Sequence, residues 1–184
     1  MTIYKKGDEY LRIEEDPDPI NWRKEGDGHI GTMVCWHPSY ILGDEQPKED
    51  PEDFRRDLPK DRIEFPLFLY DHSGITMSTG AFECRWDSGQ VGFIYTTLER
   101  LKELGVDPEK AEEYLKSEVE SYDQFLRGEV YGFTRFKKVT CGDCGHTEEE
   151  DDDSCWGFYG SDHEASGLLD SAGITDFDEW EEIS

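Results

Sequence analysis

Between Phe65 and Tyr95 the sequence reads FPLFLYDHSGITMSTGAFECRWDSGQVGFIY, in which three apolar runs (Phe65 to Tyr70, Ile75 to Met77, Val91 to Tyr95) are parted by Gly, Ser and Asp. Runs this short, rich in β-branched and aromatic residues and cut by turn formers, are strands joined by tight turns. The stretch predicts an antiparallel sheet at the centre of the chain. A long helix is predicted over about 107–127: Asp107 caps it, Pro108 stands in its first turn and Gly128 stops it. Its apolar positions Ala111, Leu115, Val119, Tyr122 and Leu126 recur at helical spacing. That face should lie on the sheet, with Glu112, Glu113, Lys116, Glu120 and Asp123 in water. The fold class expected is therefore α+β, an antiparallel sheet with one long amphipathic helix packed on it. At 184 residues the chain fits one domain, 1–184.

The flanking sequence is read in the same terms. Glu9 to Ile13 is expected as a short edge strand, and Gly28 to His37 as a core strand stopped by Pro38. Residues 43–62 are charged and carry three prolines, so they read as a long surface loop with one helical turn around Pro51 to Asp57. Thr97 to Leu104 makes a short helix closed by Gly105. Strands follow at Val130 to Thr140 and Ser154 to Tyr159, with 141–153 (CGDCGHTEEEDDD) as the hairpin tip between them. Short helical segments are expected around Ala165 to Ala172 and Phe177 to Ile183.

Charge narrows the partners. There are 45 acidic and 19 basic residues, a net charge of −26, and residues 141–184 contain 15 acids with no Lys or Arg. Such a surface repels nucleic acid and membrane phosphates and attracts basic protein surfaces. Direct nucleic-acid binding and membrane binding are excluded as expectations, and a basic protein partner is favoured. The competing account is solvation, since proteins of high-salt organisms also carry dense carboxylates. Five scattered cysteines and no apolar run of export or membrane-spanning length predict a reducing cytoplasm.

Two constellations could carry chemistry. Cys141, Cys144 and His146, spaced by glycines, have the form of half a zinc site, with Cys155 or His163 to complete it. The acids from Glu148 to Asp153 lack the spacing of a calcium loop and read as a solvated run. The second constellation is Asp71 and His72 with Asp87, a candidate catalytic cluster for a metal-dependent hydrolase. Cys84 or Cys35 with His37 or His72 would be the thiol–imidazole version. Neighbours on a strand face opposite ways, so Asp71, His72 and Ser73 form no relay among themselves. The alternative is that Asp71, Ser73, Asp87, Ser88 and Gln90 satisfy backbone groups in turns and that Cys35 and Cys84 are small core residues. No nucleophile elbow, phosphate loop or His-Glu-x-x-His is present.

The strings GTMVCWH (Gly31 to His37), LGDEQ (Leu42 to Gln46), LYDHSGITMS (Leu69 to Ser78), WDSGQVGFIY (Trp86 to Tyr95) and SCWGFYG (Ser154 to Gly160) resemble a family of accessory proteins of tailed phages, archaeal viruses and their integrated relatives. The resemblance implies a viral or mobile-element origin, with a haloarchaeal host consistent with the acidity. It supplies no catalytic residue. The leading expectation is a non-enzymatic acidic accessory protein in the host cytoplasm that binds a protein partner, as a nucleic-acid mimic directed at a DNA-binding or defence protein. The alternatives are a metal-dependent hydrolase or nuclease using Asp71, His72 and Asp87, and a zinc-stabilised virion component.

Overall fold

The structure is a computed structural model that describes residues 1–26 and 28–184. In chain order its elements are strands β1 (Thr2–Lys6) and β2 (Glu9–Glu15), helix α1 (Trp22–Glu25), strand β3 (Thr32–Cys35) and helix α2 (Pro51–Asp57). Strands β4 (Ile63–Asp71), β5 (Ile75–Ser78) and β6 (Ser88–Thr96) follow, then helices α3 (Leu98–Leu104) and α4 (Ala111–Leu126). Strands β7 (Val130–Thr140) and β8 (Thr147–Tyr159), helix α5 (Leu168–Ser171) and strand β9 (Glu181–Glu182) complete the chain. They form two compact units, Asn21–Arg127 and Met1–Ile20 with Gly128–Ser184.

In the unit Asn21–Arg127 the Phe65 to Tyr95 stretch supplies β4, β5 and β6 of a four-stranded antiparallel sheet in the order β3-β6-β4-β5. β4 and β5 close as a tight hairpin in which Asp71 faces Ile75 and Ser73 takes a left-handed φ of 63°. Helix α4 lays Ala111, Leu115, Val119 and Tyr122 against the sheet, packing on β4, β5 and β6. Burying each of the larger side chains contributes roughly 1.5–3 kcal/mol. Asp123 does not face water as expected. Its Oδ1 accepts the Met77 backbone N–H at 2.6 Å, satisfying a donor on the edge strand β5, and the Tyr122 hydroxyl accepts the Gly43 N–H at 2.9 Å.

Arg23, with no exposed side-chain surface, anchors the segments around this sheet. Its Nε donates to Asp44 Oδ1 at 2.8 Å, its Nη1 to Glu118 Oε2 at 3.1 Å and its Nη2 to the Gly31 carbonyl at 2.7 Å. The same carboxylates accept backbone N–H groups, Asp44 from Met33 and Glu118 from Ile30. One guanidinium thus ties α1, the entry to β3, the segment after Leu42 and α4 together. The start of the 43–62 loop is therefore pinned, and α2 within it is capped by Asp50 with Pro51 in its first turn.

The other unit holds a five-stranded antiparallel sheet in the order β8-β7-β2-β1-β9. β2 is not an edge strand, because β1 pairs along one side of it and β7 along the other, and Leu11 and Ile13 are buried. They pack with Phe133, Leu168, Leu169, Ala172 and Ile174. The segment expected to be helical near the C-terminus makes one 3₁₀ turn at Phe177–Glu179 and then adds β9 to β1. The α+β class holds. A single sheet roofed by one long helix does not describe it, since there are two sheets and five α-helices among the described residues, of which α4 is the longest.

The hairpin tip is also narrower than predicted. Strand β8 begins at Thr147, so the acids of 148–153 are paired strand and only 141–146 turns. Acidic residues are poor strand formers. Here Glu149 and Glu150 lie opposite Lys138 and Lys137 of β7, and opposite charges across an antiparallel pair stabilise it. Among the described residues no helix is long and apolar enough to cross a membrane.

Candidate functional site

The end of the four-stranded sheet gathers residues from three distant stretches. β4 ends at Asp71, β6 begins at Ser88, and the two strands are held past their ends by the Asp71 N–H donating to the Asp87 carbonyl at 2.7 Å. His37 and Tyr40 come from the turn that leaves β3. The His37 Nδ1 accepts the Ser39 N–H at 3.2 Å and the Tyr40 N–H at 3.1 Å, which leaves Nε2 as the hydrogen-bearing ring nitrogen. Its ring stacks on Tyr40 with centroids 4.8 Å apart. Tyr40 in turn hydrogen-bonds Asp71, and that bond, followed by the Asp71 charge, raises the phenol above its ordinary value and keeps it a donor.

His37, Asp71, Trp86, Asp87 and Ser88 line an open pocket of about 340 Å³, with Leu69 and Val91 as its apolar part. Trp86 is 96% exposed. An indole left in water forgoes the burial that usually makes Trp a large contributor to packing. Asp87 uses Oδ2 for two neighbours, the Cys84 thiol at 3.6 Å and the His72 Nδ1 at 3.4 Å.

The structure therefore brings Asp71, His72 and Asp87 together, as three of the four corners of a cluster completed by Tyr40. Their arrangement is not a nucleophile with its base. The Cys84 thiol meets a carboxylate rather than an imidazole, the Ser88 hydroxyl donates to the Cys84 carbonyl, and Cys35 is buried far from solvent. Among the described residues no hydroxyl or thiol of this cluster hydrogen-bonds an imidazole. The arrangement offers carboxylate acceptors beside an exposed aromatic ring. Tyr40 was not foreseen; the His-Pro-Ser-Tyr turn that presents it is legible only once the His37 ring is seen to cap two backbone N–H groups.

The metal candidates part company. Cys141, Cys144 and His146 share the hairpin turn, closed by the Cys141 N–H donating to the His146 carbonyl at 2.7 Å and the Gly145 N–H to the Cys141 carbonyl at 2.9 Å. Backbone N–H groups of Cys144 and then Asp143 hold the Cys141 thiol below its ordinary value, helped by the Cys144 side chain. Cys155 cannot join them, because it lies opposite Phe133, eight residues beyond Thr147 and so roughly 26 Å along the strand. His163 packs edge-on to Tyr131, and burial lowers its pKa. Among the described residues no group of three or more His, Cys, Asp or Glu is placed to hold a metal ion.

The acidic run has its own geometry. β8 is an edge of the five-stranded sheet, and residues 147–157 are exposed along its length. Glu149 pairs with Arg12, and Asp152 approaches Arg135 at 3.8 Å. Among the described residues Glu148, Glu150 and Asp151 take no ion pair. In comparisons with protein-family models, curated proteins and solved structures, nothing matches this chain.

Proposed function

We propose that the protein is an acidic accessory protein of a virus or mobile element, and that it occupies a basic protein surface in place of nucleic acid. The observation that carries this reading is the run Glu148 to Asp153, held as exposed strand on the open edge of a sheet. A strand rises about 3.4 Å per residue, and one strand of duplex DNA presents one charge per about 3.4 Å of axis. Six successive carboxylates on β8 therefore match the linear charge density of one nucleic-acid strand, divided between the two faces of the sheet because neighbouring side chains alternate. Two of the six are held by arginines of the same sheet, which fixes the arm, and among the described residues the other four form no ion pair, Glu150 standing opposite Lys137.

A basic cleft shaped for phosphates would meet the same charge density without the bases. Carboxylates steer such an encounter, and their contribution falls as salt screens it. The test is displacement. The purified chain is titrated into complexes of labelled duplex DNA with host restriction or CRISPR nucleases, at low and at moderate salt. Release of DNA that weakens with salt, and weakens at least tenfold in the triple variant Glu148→Gln, Glu150→Gln, Asp151→Asn, supports the reading. No release at either salt concentration sinks it.

A further inference from the structure

We infer that the pocket between Trp86, Asp71 and Asp87 binds a guanidinium group, and that an arginine side chain of a polypeptide carries it. Three features of the pocket converge on this ligand. The pocket presents two carboxylates side by side, because the ends of β4 and β6 are locked together by the Asp71 to Asp87 backbone bond. Asp87 spends only Oδ2 on its neighbours, which leaves Oδ1 as an acceptor, and Asp71 has acceptor capacity beyond the one bond from Tyr40. Beside them stands an indole with 96% of its surface exposed.

A planar cation satisfies all three at once. Its face lies on the Trp86 ring, where the π-system attracts positive charge, while its N–H edge reaches the carboxylates in parallel bonds. An ammonium offers no plane to stack and no fork to match two acceptors, so lysine is the poorer fit. Phosphates, carboxylates and nucleic acid are repelled by the same pair of acids, and the net charge of −26 draws cations toward the unit from a distance. A volume of about 340 Å³, at the small end of ligand sites, admits an arginine side chain. His37 adds an N–H in the pocket wall, a donor that a peptide carbonyl next to the arginine would accept.

Arg85, next to Trp86 in sequence, does not line this pocket. Arg85 lines a separate depression with Phe68, Phe82 and Glu83. The inference is also independent of the acidic arm, since the pocket belongs to the other unit and the two can fail separately.

The experiment uses the full chain and three probes: methylguanidinium, a capped Gly-Arg-Gly peptide, and its Gly-Lys-Gly counterpart, each titrated by calorimetry and followed by chemical shifts of the indole N–H groups. The arginine peptide is expected to bind at least tenfold tighter than the lysine peptide and to shift one indole signal, which Trp86→Phe removes. Asp71→Asn and Asp87→Asn should each weaken binding about tenfold with an unchanged urea midpoint. The variant Glu148→Gln, Glu150→Gln, Asp151→Asn should bind the peptide like the parent. Peptide affinity above that of methylguanidinium places the group on a polypeptide; equal affinity keeps the guanidinium assignment and overturns the polypeptide source. Equal binding of arginine and lysine peptides, binding insensitive to both Asp variants, or no saturable binding overturns the site.

Discussion

Cys35 ends β3 with its side chain wholly buried in the core of the unit Asn21–Arg127. Burial, and secondarily the Asp44 charge, push its thiol up to about 12 from 9.0, while Arg23 opposes them weakly. The consequence for stability has a definite sign. Below pH 9 the thiol is protonated in both states and contributes no pH dependence. Between about 9 and 12 the unfolded chain releases the proton and the folded chain holds it, so stability falls as pH rises, by about 1.4 kcal/mol per pH unit from this group. Urea unfolding of the parent and of Cys35→Ala from pH 8 to 10.5 isolates the effect, because every other thiol and phenol is common to both proteins. The variant should be less stable at pH 8, yet its stability should decline less steeply above pH 9. Parallel curves would show that the folded thiol ionises as freely as the unfolded one. The sequence placed Cys35 among small core residues and also as a partner for an imidazole, and only the burial decides between them.

Gly92 shows how an element can be legible while its reason is not. The alternation and the β-branched and aromatic content of Val91 to Tyr95 announce a strand. Nothing in the string says why Gly stands at 92. In the sheet it pairs with Cys35 on one side and Leu67 on the other, and a Cβ there would lie 2.0 Å from the Val34 carbonyl oxygen and 2.9 Å from the Cys35 Cα. Those are backbone atoms of β3 that no rotamer can move. Gly92→Ala must therefore shift β3 off β6, and the expected loss is on the order of 3 kcal/mol, at the upper end for forced overpacking. A urea midpoint within error of the parent would mean that β3 is not seated as described. Caps and periodicity made α3 and α4 readable from local signals: Thr97 and Gly105 bound α3 as expected, whereas Asp107 caps a 3₁₀ turn, Pro108–Lys110, that leads into α4 rather than α4 itself. Strand partnership was not readable, because register is settled by residues far apart in sequence. β1 and β9 carry lysines and glutamates with little apolar signal, and the acids of β8 run against strand propensity, so the second sheet stayed hidden. Of the candidate site, Asp71, His72 and Asp87 were visible as polar residues at turns, whereas their meeting with Tyr40 and Trp86 depends on the β4–β6 register.

For the molecule as a whole, a net charge of −26 on 184 residues sets a conflict between solubility and compactness. Each carboxylate without a partner cation repels its neighbours, and the compact state brings them closer than the unfolded chain does. Two explanations of the acidity then part. If it is solvation for a saline cytoplasm, the cores alone are too weak at low salt and the chain requires molar salt to fold. If it is a binding surface, the folded state must stand at ordinary ionic strength. Each unit has its own buried cluster, and the Arg23 network adds charge pairing that salt screens little because it is buried. The expected outcome is a cooperative thermal transition already at 0.1 M KCl, with a midpoint that rises toward 1 M as screening shortens the Debye length from about 10 to about 3 Å. In the triple variant Glu148→Gln, Glu150→Gln, Asp151→Asn the midpoint at 0.1 M should rise and the salt response should flatten, since Glu148 and Asp151 stand opposite apolar residues and only Glu150 gives up a lysine, Lys137, while Glu149 and Asp152 keep their arginines. Thermal scans of both proteins across that salt series decide it. A parent chain without a transition at 0.1 M, restored only by molar salt, would assign the carboxylates to hydration and remove the charge argument for a basic partner.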